Sequence, residues 1–123
     1  MSANAWRNKR EKIWERDDYS CVYCSYSGST DDVEDLMLDR VIPRNARRSE
    51  IYDDKEYGIS RFDIIFHYSI NGDSNLVTAC YLCSEERRQR PLRKFFQLKP
   101  GAKENFLKKA IHIDKRILEA LIS

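Results

Sequence analysis

Two Cys-x-x-Cys pairs are the clearest indication of a chemical site in this sequence. Cys21 and Cys24 form the first pair, and Cys80 and Cys83 form the second. This spacing lets two thiolates reach one metal ion from a single tight turn, so two such turns complete a tetrahedral zinc site with four thiolate ligands. A site of this kind has no open coordination position and stabilises a fold rather than catalysing a reaction. Two disulfides and four buried thiols are the alternatives; a reducing compartment argues against the first, and the pairing of all four cysteines argues against the second.

The hydrophobic pattern predicts the helices and strands around these cysteines. The chain of 123 residues is predicted to be a single domain with a modest core, which a metal ion would help to stabilise. The pattern predicts a helix over 4–16, a cysteine knuckle over 19–30, a strand over 36–42 and a polar loop over 44–58. Segment 61–70 is a second strand or a buried helix, and its Ile, Phe and Tyr content favours the strand. After the second cysteine pair, Ser84 is predicted to cap a short helix, which Pro91 ends or bends.

The C-terminal segment 100–122 is predicted to be one amphipathic helix. It begins after Pro100-Gly101 and carries a single apolar stripe, formed by Phe106, Ala110, Ile113, Ile117 and Leu121. We expect this stripe to pack on the chain's own core rather than on a second copy, because a chain this small needs the apolar area.

The net charge of +2 hides an asymmetry along the chain. Segment 17–39 holds seven acidic residues and no basic ones, whereas segment 85–116 holds eleven Lys/Arg against four acids. Such polarity indicates an anionic partner for the C-terminal third, although a solvated helix surface has the same composition. No apolar run approaches the roughly 20 residues of a membrane span, and the N-terminus lacks the apolar segment of a signal peptide. The predicted compartment is therefore the cytoplasm.

Three segments in order, RDDYSCVYC, LMLDRVIPR and NLVTACYLCSEERRQRPL, closely resemble the zinc-containing branch of the HNH endonucleases. Members of that branch read like R-D-x-x-x-C-x-x-C, then L-x-x-D-H-V-I-P-R-x-x-G-G, then N-L-V-T-A-C-x-x-C-N-x-x-K/R. The match covers about residues 13–92. It implies a ββα-metal fold, in which a hairpin and a helix hold one divalent ion against the scissile phosphate. The resulting fold class is α+β: a hairpin-plus-helix core over 17–92 with a four-cysteine zinc site and a long insert at 44–74, flanked by N- and C-terminal helices.

The resemblance implies a role for individual positions. Asp39 matches the acidic metal ligand, which would hold Mg²⁺ or Mn²⁺ in an active enzyme, and Arg40 stands where the general-base histidine belongs. Asn75 matches the asparagine that orients that histidine, and Ser84 stands where a second metal ligand follows the last cysteine. Arg87 matches a basic residue near the phosphates. Without a metal ion, Asp39 is expected to pair with the adjacent Arg40.

Two of these positions depart from the family pattern in ways that weigh against hydrolysis. The reaction needs a base near the attacking water and a cation near the leaving oxygen. Arg40 stays protonated and cannot take that proton, and Ser84 is a weaker ligand for a hard cation than Asn or His. His67, in a predicted strand, and Glu85 are the candidate substitutes, although a half-buried strand histidine is the simpler interpretation of His67. His112 is predicted to be a surface or boundary residue.

Basic side chains cluster around the motifs and would bind phosphates without reading sequence. The predicted nucleic-acid-binding residues are Arg44, Arg47, Arg48, Arg87, Arg88 and Arg90, with Arg93 and Lys94 beside them. Arg47-Arg48 replaces the family's Gly-Gly, so charged side chains stand where backbone would approach a phosphate closely. Ordinary surface solvation is the alternative interpretation.

Three functions remain open from the sequence. The first is an HNH-like zinc protein that binds nucleic acid, in the first instance double-stranded DNA, with catalysis lost or much reduced. The second is an active, divergent metal-dependent endonuclease. The third is a small interaction protein of phage or mobile-element type, which reuses the nuclease surface to bind a protein partner. DNA versus RNA, sequence preference and oligomeric state are left undecided.

Overall fold

A computed structural model describes residues 3–27, 35–42, 72–88, 90–113 and 115–122 of the chain. The predicted loop 44–58 and strand 61–70 lie outside the described residues, as do four of the predicted site residues: Arg44, Arg47, Arg48 and His67. The described residues combine α-helices with a two-stranded antiparallel sheet, which confirms the mixed α and β class.

The N-terminal helix α1 spans Ala3–Arg16, close to the predicted range. It buries Ile13 and Trp14 and leaves most of its polar residues exposed. The indole Nε1 of Trp14 donates to the carbonyl of Met37 at 3.4 Å, which holds the helix against the sheet. Asp18 and Tyr19 follow with φ of 55° and 53°, a left-handed conformation that cannot continue a right-handed helix.

The sheet pairs β1, Leu36–Arg40, with β2, Leu76–Cys80, in an antiparallel register that places Leu36 opposite Cys80 and Arg40 opposite Leu76. Every residue of β2 is buried. A strand buried on both faces reads as a continuous apolar run, and the sequence LVTAC fits that pattern. A short 3₁₀ turn, Asp73–Asn75, leads into β2.

Helix α2, Tyr81–Arg87, follows β2 directly and begins three residues before the predicted cap, Ser84. The Cys80 thiol takes the capping role, because its sulfur accepts a hydrogen bond from the backbone N–H of Cys83. Arg88, at φ 50°, ends the helix before Pro91 is reached. Among the described residues the order is therefore β1, β2, α2, and the second cysteine pair lies where β2 passes into α2.

The C-terminal segment differs from the single predicted helix. Segment 100–122 contains two helices, α4, Pro100–Lys109, and α5, Lys115–Ile122, and a separate helix, α3, Leu92–Leu98, precedes it. Helix α4 ends because Ala110, at φ −87° and ψ 50°, leaves the helical region, and the run Ile111-His112-Ile113 that follows is poor in strong helix formers. The stripe prediction still identified core residues, since Phe106, Ala110, Ile113 and Leu121 are all buried.

Aromatic rings connect these helices to the cysteine knuckle. The Tyr23 ring stacks on Phe106 at 5.7 Å between centroids and meets Phe95 edge-on at 5.1 Å. Phe96 lies 5.5 Å from Phe106 in the same group. These rings belong to a core cluster that also includes Cys21, Cys80 and Cys83, so the cysteines and the C-terminal helices share one apolar interior. In the part of the chain that the structure describes, none of the helices has the length and apolarity to cross a bilayer.

Candidate functional site

The four cysteine sulfurs converge at one point of the fold. Cys21 and Cys24 come from the knuckle after α1, Cys80 ends β2, and Cys83 lies in the first turn of α2. All four Sγ atoms lie within 4.8 Å of one another. Four thiolates bound at ~2.3 Å to a central zinc ion would be ~3.8 Å apart, so the observed cluster is close to the required size.

Backbone geometry aims the sulfurs inward. The knuckle is closed by a bridge between Ser20 and Ser27, and the N–H of Ser25 bonds the carbonyl of Cys21 at 3.0 Å. The N–H of Tyr23 points at the Cys21 sulfur at 3.4 Å, and the N–H of Cys83 points at the Cys80 sulfur at 3.5 Å. Backbone donors on sulfur favour the thiolate form, which is the form that binds a metal ion.

The thiols influence one another strongly. A hydrogen bond from Cys83 lowers the pKa of the Cys21 thiol to about 5, against the opposing effect of burial. Burial raises the pKa of Cys24 to about 11, and the bond to Cys21 together with burial raises that of Cys83 far above its ordinary value. Four thiolates this close repel one another, so full deprotonation requires a cation among them. The donor set is therefore compatible with a structural metal ion.

A second polar cluster surrounds the carboxylate of Asp39, at the buried side of β1. Asp39 Oδ2 accepts a hydrogen bond from the Tyr23 hydroxyl at 2.5 Å and an ion-pair contact from Arg87 Nη1 at 2.7 Å. The same guanidinium donates to the carbonyls of Arg40 and Val41, both at 2.5 Å, and its Nε donates to the carbonyl of Arg90 at 3.3 Å. Arg87 is fully buried, and Asp39 is 8% exposed. A buried guanidinium is therefore held by one carboxylate and three backbone carbonyls.

The pKa values of this cluster follow from its geometry. Burial raises the pKa of Tyr23 well above 10; the charge of Arg87 opposes this effect and the charge of Asp39 adds to it. Burial acts to lower the pKa of Arg87, but the attraction of Asp39 and of Tyr23 outweighs it and leaves that pKa above its ordinary value. Tyr23 is consequently a neutral donor and Arg87 a permanent cation at neutral pH.

Two predicted roles change with this geometry. Asp39 pairs with Arg87, which is 48 positions away in the chain, rather than with the adjacent Arg40 that the sequence suggested. Arg87 lies in the interior instead of facing phosphates, because the buried Asp39 carboxylate and the backbone carbonyls at its strand end need a cation. Arg40 is half-buried, and its guanidinium lies 5.5 Å from the centre of the Trp6 ring.

The remaining predicted positions lie around these two clusters. Asn75 is fully buried, and its side chain bonds the backbone of Ile42 twice, accepting from the N–H at 2.8 Å and donating to the carbonyl at 3.1 Å. It thereby holds the chain leaving β1 against the start of β2. Ser84 is half-buried within α2, and Glu85 is exposed on the same helix.

Three other predicted phosphate-binding residues are at the surface, whereas Arg93 is half-buried. Arg88 and Arg90 are exposed, and they lie against the C-terminal end of α2, where they donate to the carbonyls of Glu85 and Glu86. A cation at this end of a helix complements the helix dipole. Lys94 is exposed on α3.

Tyr23 is the site residue that the sequence reasoning missed. It stands between the first two cysteines, where it was read only as part of the knuckle. The available signal was a tyrosine inside a metal-binding turn, since a buried hydroxyl needs a polar partner.

Comparisons with known proteins leave this site without a family: no protein-family model matches the chain, and no curated protein matches it.

Proposed function

We propose that this chain is a zinc-stabilised protein that binds nucleic acid, in the first instance double-stranded DNA, on a core of HNH-nuclease type, and that it does not hydrolyse phosphodiesters. The observation that carries the proposal is the 2.7 Å contact between Arg87 and Asp39, where the resemblance implies a divalent ion. The proposal has three parts, which concern the zinc ion, the lost chemistry and the anionic partner.

Zinc is the ion that best suits the cysteine cluster. Four thiolates in a closed tetrahedral arrangement are typical of structural zinc, which has no redox chemistry and no demand for an open position. Bound there, the ion would neutralise thiolate charge and tie the knuckle at Cys21 and Cys24 to the start of α2 at Cys80 and Cys83.

The loss of hydrolysis follows from charge and from the donor set. Asp39 already has a cation beside it, so a divalent ion would have to displace a fully buried guanidinium with several hydrogen bonds. Arg40 cannot act as a base, because arginine remains protonated in proteins. The base is thus missing at the position that the resemblance assigns to it, and the metal ligand Asp39 is present but already paired with Arg87.

Binding to an anionic polymer is supported by the surface around α2. Arg88, Arg90 and Lys94 are exposed, and they lie in segment 85–116, which holds eleven Lys/Arg against four acids. Side chains of this kind contact phosphates irrespective of sequence and make binding strongly dependent on salt.

A plasmid-nicking assay with Mg²⁺, Mn²⁺ and Ni²⁺ tests the loss of hydrolysis. We expect the natural protein to nick supercoiled plasmid no faster than the Asp39→Asn variant, whose side chain keeps nearly the same shape. Metal-dependent nicking by the natural protein that disappears in Asp39→Asn would contradict the proposal and favour the divergent endonuclease.

Retention of duplex DNA across a salt series tests the binding. We expect Arg88→Gln to weaken retention and to reduce the salt slope by about one. Lys103→Gln, an exposed lysine on α4 outside the predicted residues, is the matched control and should change the slope less. Failure to retain DNA at low salt would sink the nucleic-acid proposal and favour a protein partner.

A further inference from the structure

A cleft opens on the side of the molecule where α1 ends. Its volume is about 330 Å³, which is enough for a small ligand or for the end of a larger one. It lies between the turn after α1 and the end of α4, and it is lined by Arg16, Asp17, Asp18, Ser20, Lys108, Lys109, Ile111 and His112. The polar lining therefore comes from two segments more than 80 positions apart in the chain.

One ion pair in this cleft is balanced, whereas the other charges around it are not. Arg16 and Asp17 form a two-pronged ion pair, with Nε–Oδ1 at 3.0 Å and Nη2–Oδ2 at 3.1 Å. Asp17 also accepts from the N–H of Thr78, and Arg16 donates to the carbonyls of Asp73 and Leu76. This pair is thus held by the sheet and adds little net charge to the cleft.

Two lysines at the end of α4 supply the remaining positive charge. Lys109 donates to the Ser20 hydroxyl at 3.1 Å, which holds its ammonium group at the wall of the cleft. Lys108 is exposed and lines the cleft, as does the exposed Asp18. Apart from the Arg16–Asp17 pair, two cations face one anion, so the cleft favours an anionic guest.

The imidazole of His112 provides the second, independent observation. Its Nε2 atom is buried and has no hydrogen-bond partner among the described residues. Buried polar atoms are usually paired, so an unpaired one in a residue that lines the cleft leaves a hydrogen bond for a ligand to make. Burial is the main cause of a lowered His112 pKa, with a smaller contribution from Arg16; Asp17 and a backbone bond at Leu76 act in the opposite direction.

From the cleft, its lysines and the unpaired imidazole nitrogen, we propose that this site binds a phosphate group. Lys108 and Lys109 would supply charge-assisted hydrogen bonds to its oxygens. His112 would take up a proton as the dianion enters and would donate from Nε2 to a phosphate oxygen. A metal cation is disfavoured as the guest, because Arg16, Lys108 and Lys109 would repel it.

The proposal goes beyond the proposed function. The phosphate group has two sources with the same chemistry. It can be the terminal phosphate of a nucleic acid, or it can belong to a small phosphorylated molecule. The charged and titratable groups that bear on His112 are the cleft residues already named: Arg16, Asp17, Asp18, Lys108 and Lys109. Any proton uptake by His112 depends on the charges of these groups.

Titration of the zinc-loaded full chain with inorganic phosphate, followed by the histidine ring signals in NMR, tests the proposal. The chain has two histidines, and His112→Asn assigns the signal. At constant ionic strength, we expect a saturable shift of the His112 signal and a rise in its pKa. Lys108→Gln should weaken phosphate binding by about tenfold, whereas Lys103→Gln, an exposed lysine outside the cleft, should change it by less than about twofold.

Two results would overturn the proposal. One is a His112 signal that shifts no more with phosphate than with chloride. The other is an equal loss of affinity in Lys108→Gln and Lys103→Gln, which would indicate diffuse surface charge. Because both substitutions are at exposed positions, neither threatens folding.

A pair of short oligonucleotides with and without a 5′-phosphate then identifies the source. Tighter binding of the phosphorylated one, lost in Lys108→Gln, would support the proposal with a nucleic-acid end as the guest. Equal binding of the two, with the inorganic phosphate response intact, would support it with a small phosphorylated molecule. The inorganic phosphate experiment contains no nucleic acid, so its failure is separate from a failure of DNA binding.

Discussion

The cysteine cluster and the Asp39 cluster lie on the same framework but are neutralised in opposite ways. Four sulfurs lie within 4.8 Å of one another, and the backbone N–H groups of Tyr23 and Cys83 point at two of them, so their negative charge calls for a cation from outside. Asp39 has its cation built into the chain, as the buried guanidinium of Arg87 at 2.7 Å. The first cluster is ready to bind a metal ion, and the second already contains the charge that a metal ion would bring.

This difference shows why similar motifs need not imply similar chemistry. Both clusters use residues from the sheet and from α2, and Tyr23 contributes to both: its backbone N–H bonds the Cys21 sulfur and its hydroxyl bonds Asp39. What separates them is one side chain, Arg87, whose length lets it reach from the end of α2 to β1.

Removal of the metal ion should have the largest effect. Structural zinc sites contribute apparent binding energies of about 10–16 kcal/mol, which is more than the stability of most small domains. We expect a strong chelator to abolish cooperative thermal unfolding followed by circular dichroism, and purified protein to contain about one zinc per chain. Cys21→Ser should do the same as the chelator, since Cys21 is fully buried.

Cys24→Ser is the matched control for this prediction, because Cys24 is the exposed member of the cluster. Water can in part take the coordination position that the Cys24 sulfur leaves, so we expect weaker metal binding with a fold that survives at excess zinc. Well under one metal ion per chain, together with unchanged unfolding after chelation, would contradict the metal site.

Breaking the internal ion pair should have the next largest effect. Arg87→Met removes the cation but keeps much of the volume, and it leaves the buried Asp39 carboxylate unpaired. We expect a loss of about 3–5 kcal/mol in the free energy of unfolding, measured by urea denaturation. The double variant Arg87→Met with Asp39→Asn should recover at least half of that loss. Additive losses would show that the two side chains do not depend on each other.

Removal of the Tyr23 hydroxyl from the Asp39 cluster should have a smaller effect on the free energy of unfolding, and this effect should depend on pH. Tyr23→Phe removes the hydrogen bond that the hydroxyl donates to Asp39 and the one that it accepts from Arg87 at 3.1 Å. We expect a loss of about 2 kcal/mol in the free energy of unfolding at neutral pH. Because the pKa of Tyr23 is raised in the folded protein, its stabilising contribution is complete below its unfolded pKa of about 10 and is lost as the pH rises above that value. The difference in unfolding free energy between the two proteins should therefore shrink as the pH rises from about 9 to about 11. A constant difference would mean that the phenol is not shielded from ionisation.

The substitution of Arg40 by histidine should have the smallest effect, although this position is the most conspicuous departure in the sequence. Arg40 lies beside Trp6 at a half-buried position, and a cation–π contact of this kind is worth about 0.5–1 kcal/mol. We expect Arg40→His to lose no more than that in unfolding free energy. We also expect no plasmid nicking with Mg²⁺ or Mn²⁺, since Arg87 still neutralises Asp39. Nicking by this single variant would show that the guanidinium of Arg87 can leave the carboxylate.

The sequence predicted local features better than the partners of long side chains. The N-terminal helix, the strand at Leu36 and the convergence of the cysteines follow from periodicity and from fixed spacing, which act over a few residues. The pairing of Asp39 with Arg87 spans 48 positions, and neighbouring Arg40 offered an equally basic partner in sequence. Only the register of the sheet and the position of α2 decide between the two arginines.

The errors in the helices also have local physical causes. Ser84 looked like the better cap, but the Cys80 sulfur accepts the capping bond and starts α2 earlier. The C-terminal stripe kept its helical spacing across a break at Ala110, because an apolar residue can be buried at the end of one helix and in the turn after it. Hydrophobic spacing therefore identified the core without showing that the helix is interrupted.

Tyr23 has a consequence for how freely this protein can vary. Its ring must fit against Phe95 and Phe106, and its hydroxyl must reach the Asp39 carboxylate. Its backbone must also keep the turn that places two cysteines on one side. Phenylalanine has no hydroxyl to reach Asp39, and histidine is too small to fill the space against Phe95 and Phe106. Tryptophan is too large for a position where the side chain is only 1% exposed. Position 23 should thus tolerate fewer amino acids in a saturation library than Arg40 does, even though position 40 belongs to the motif and position 23 falls on an x of Cys-x-x-Cys.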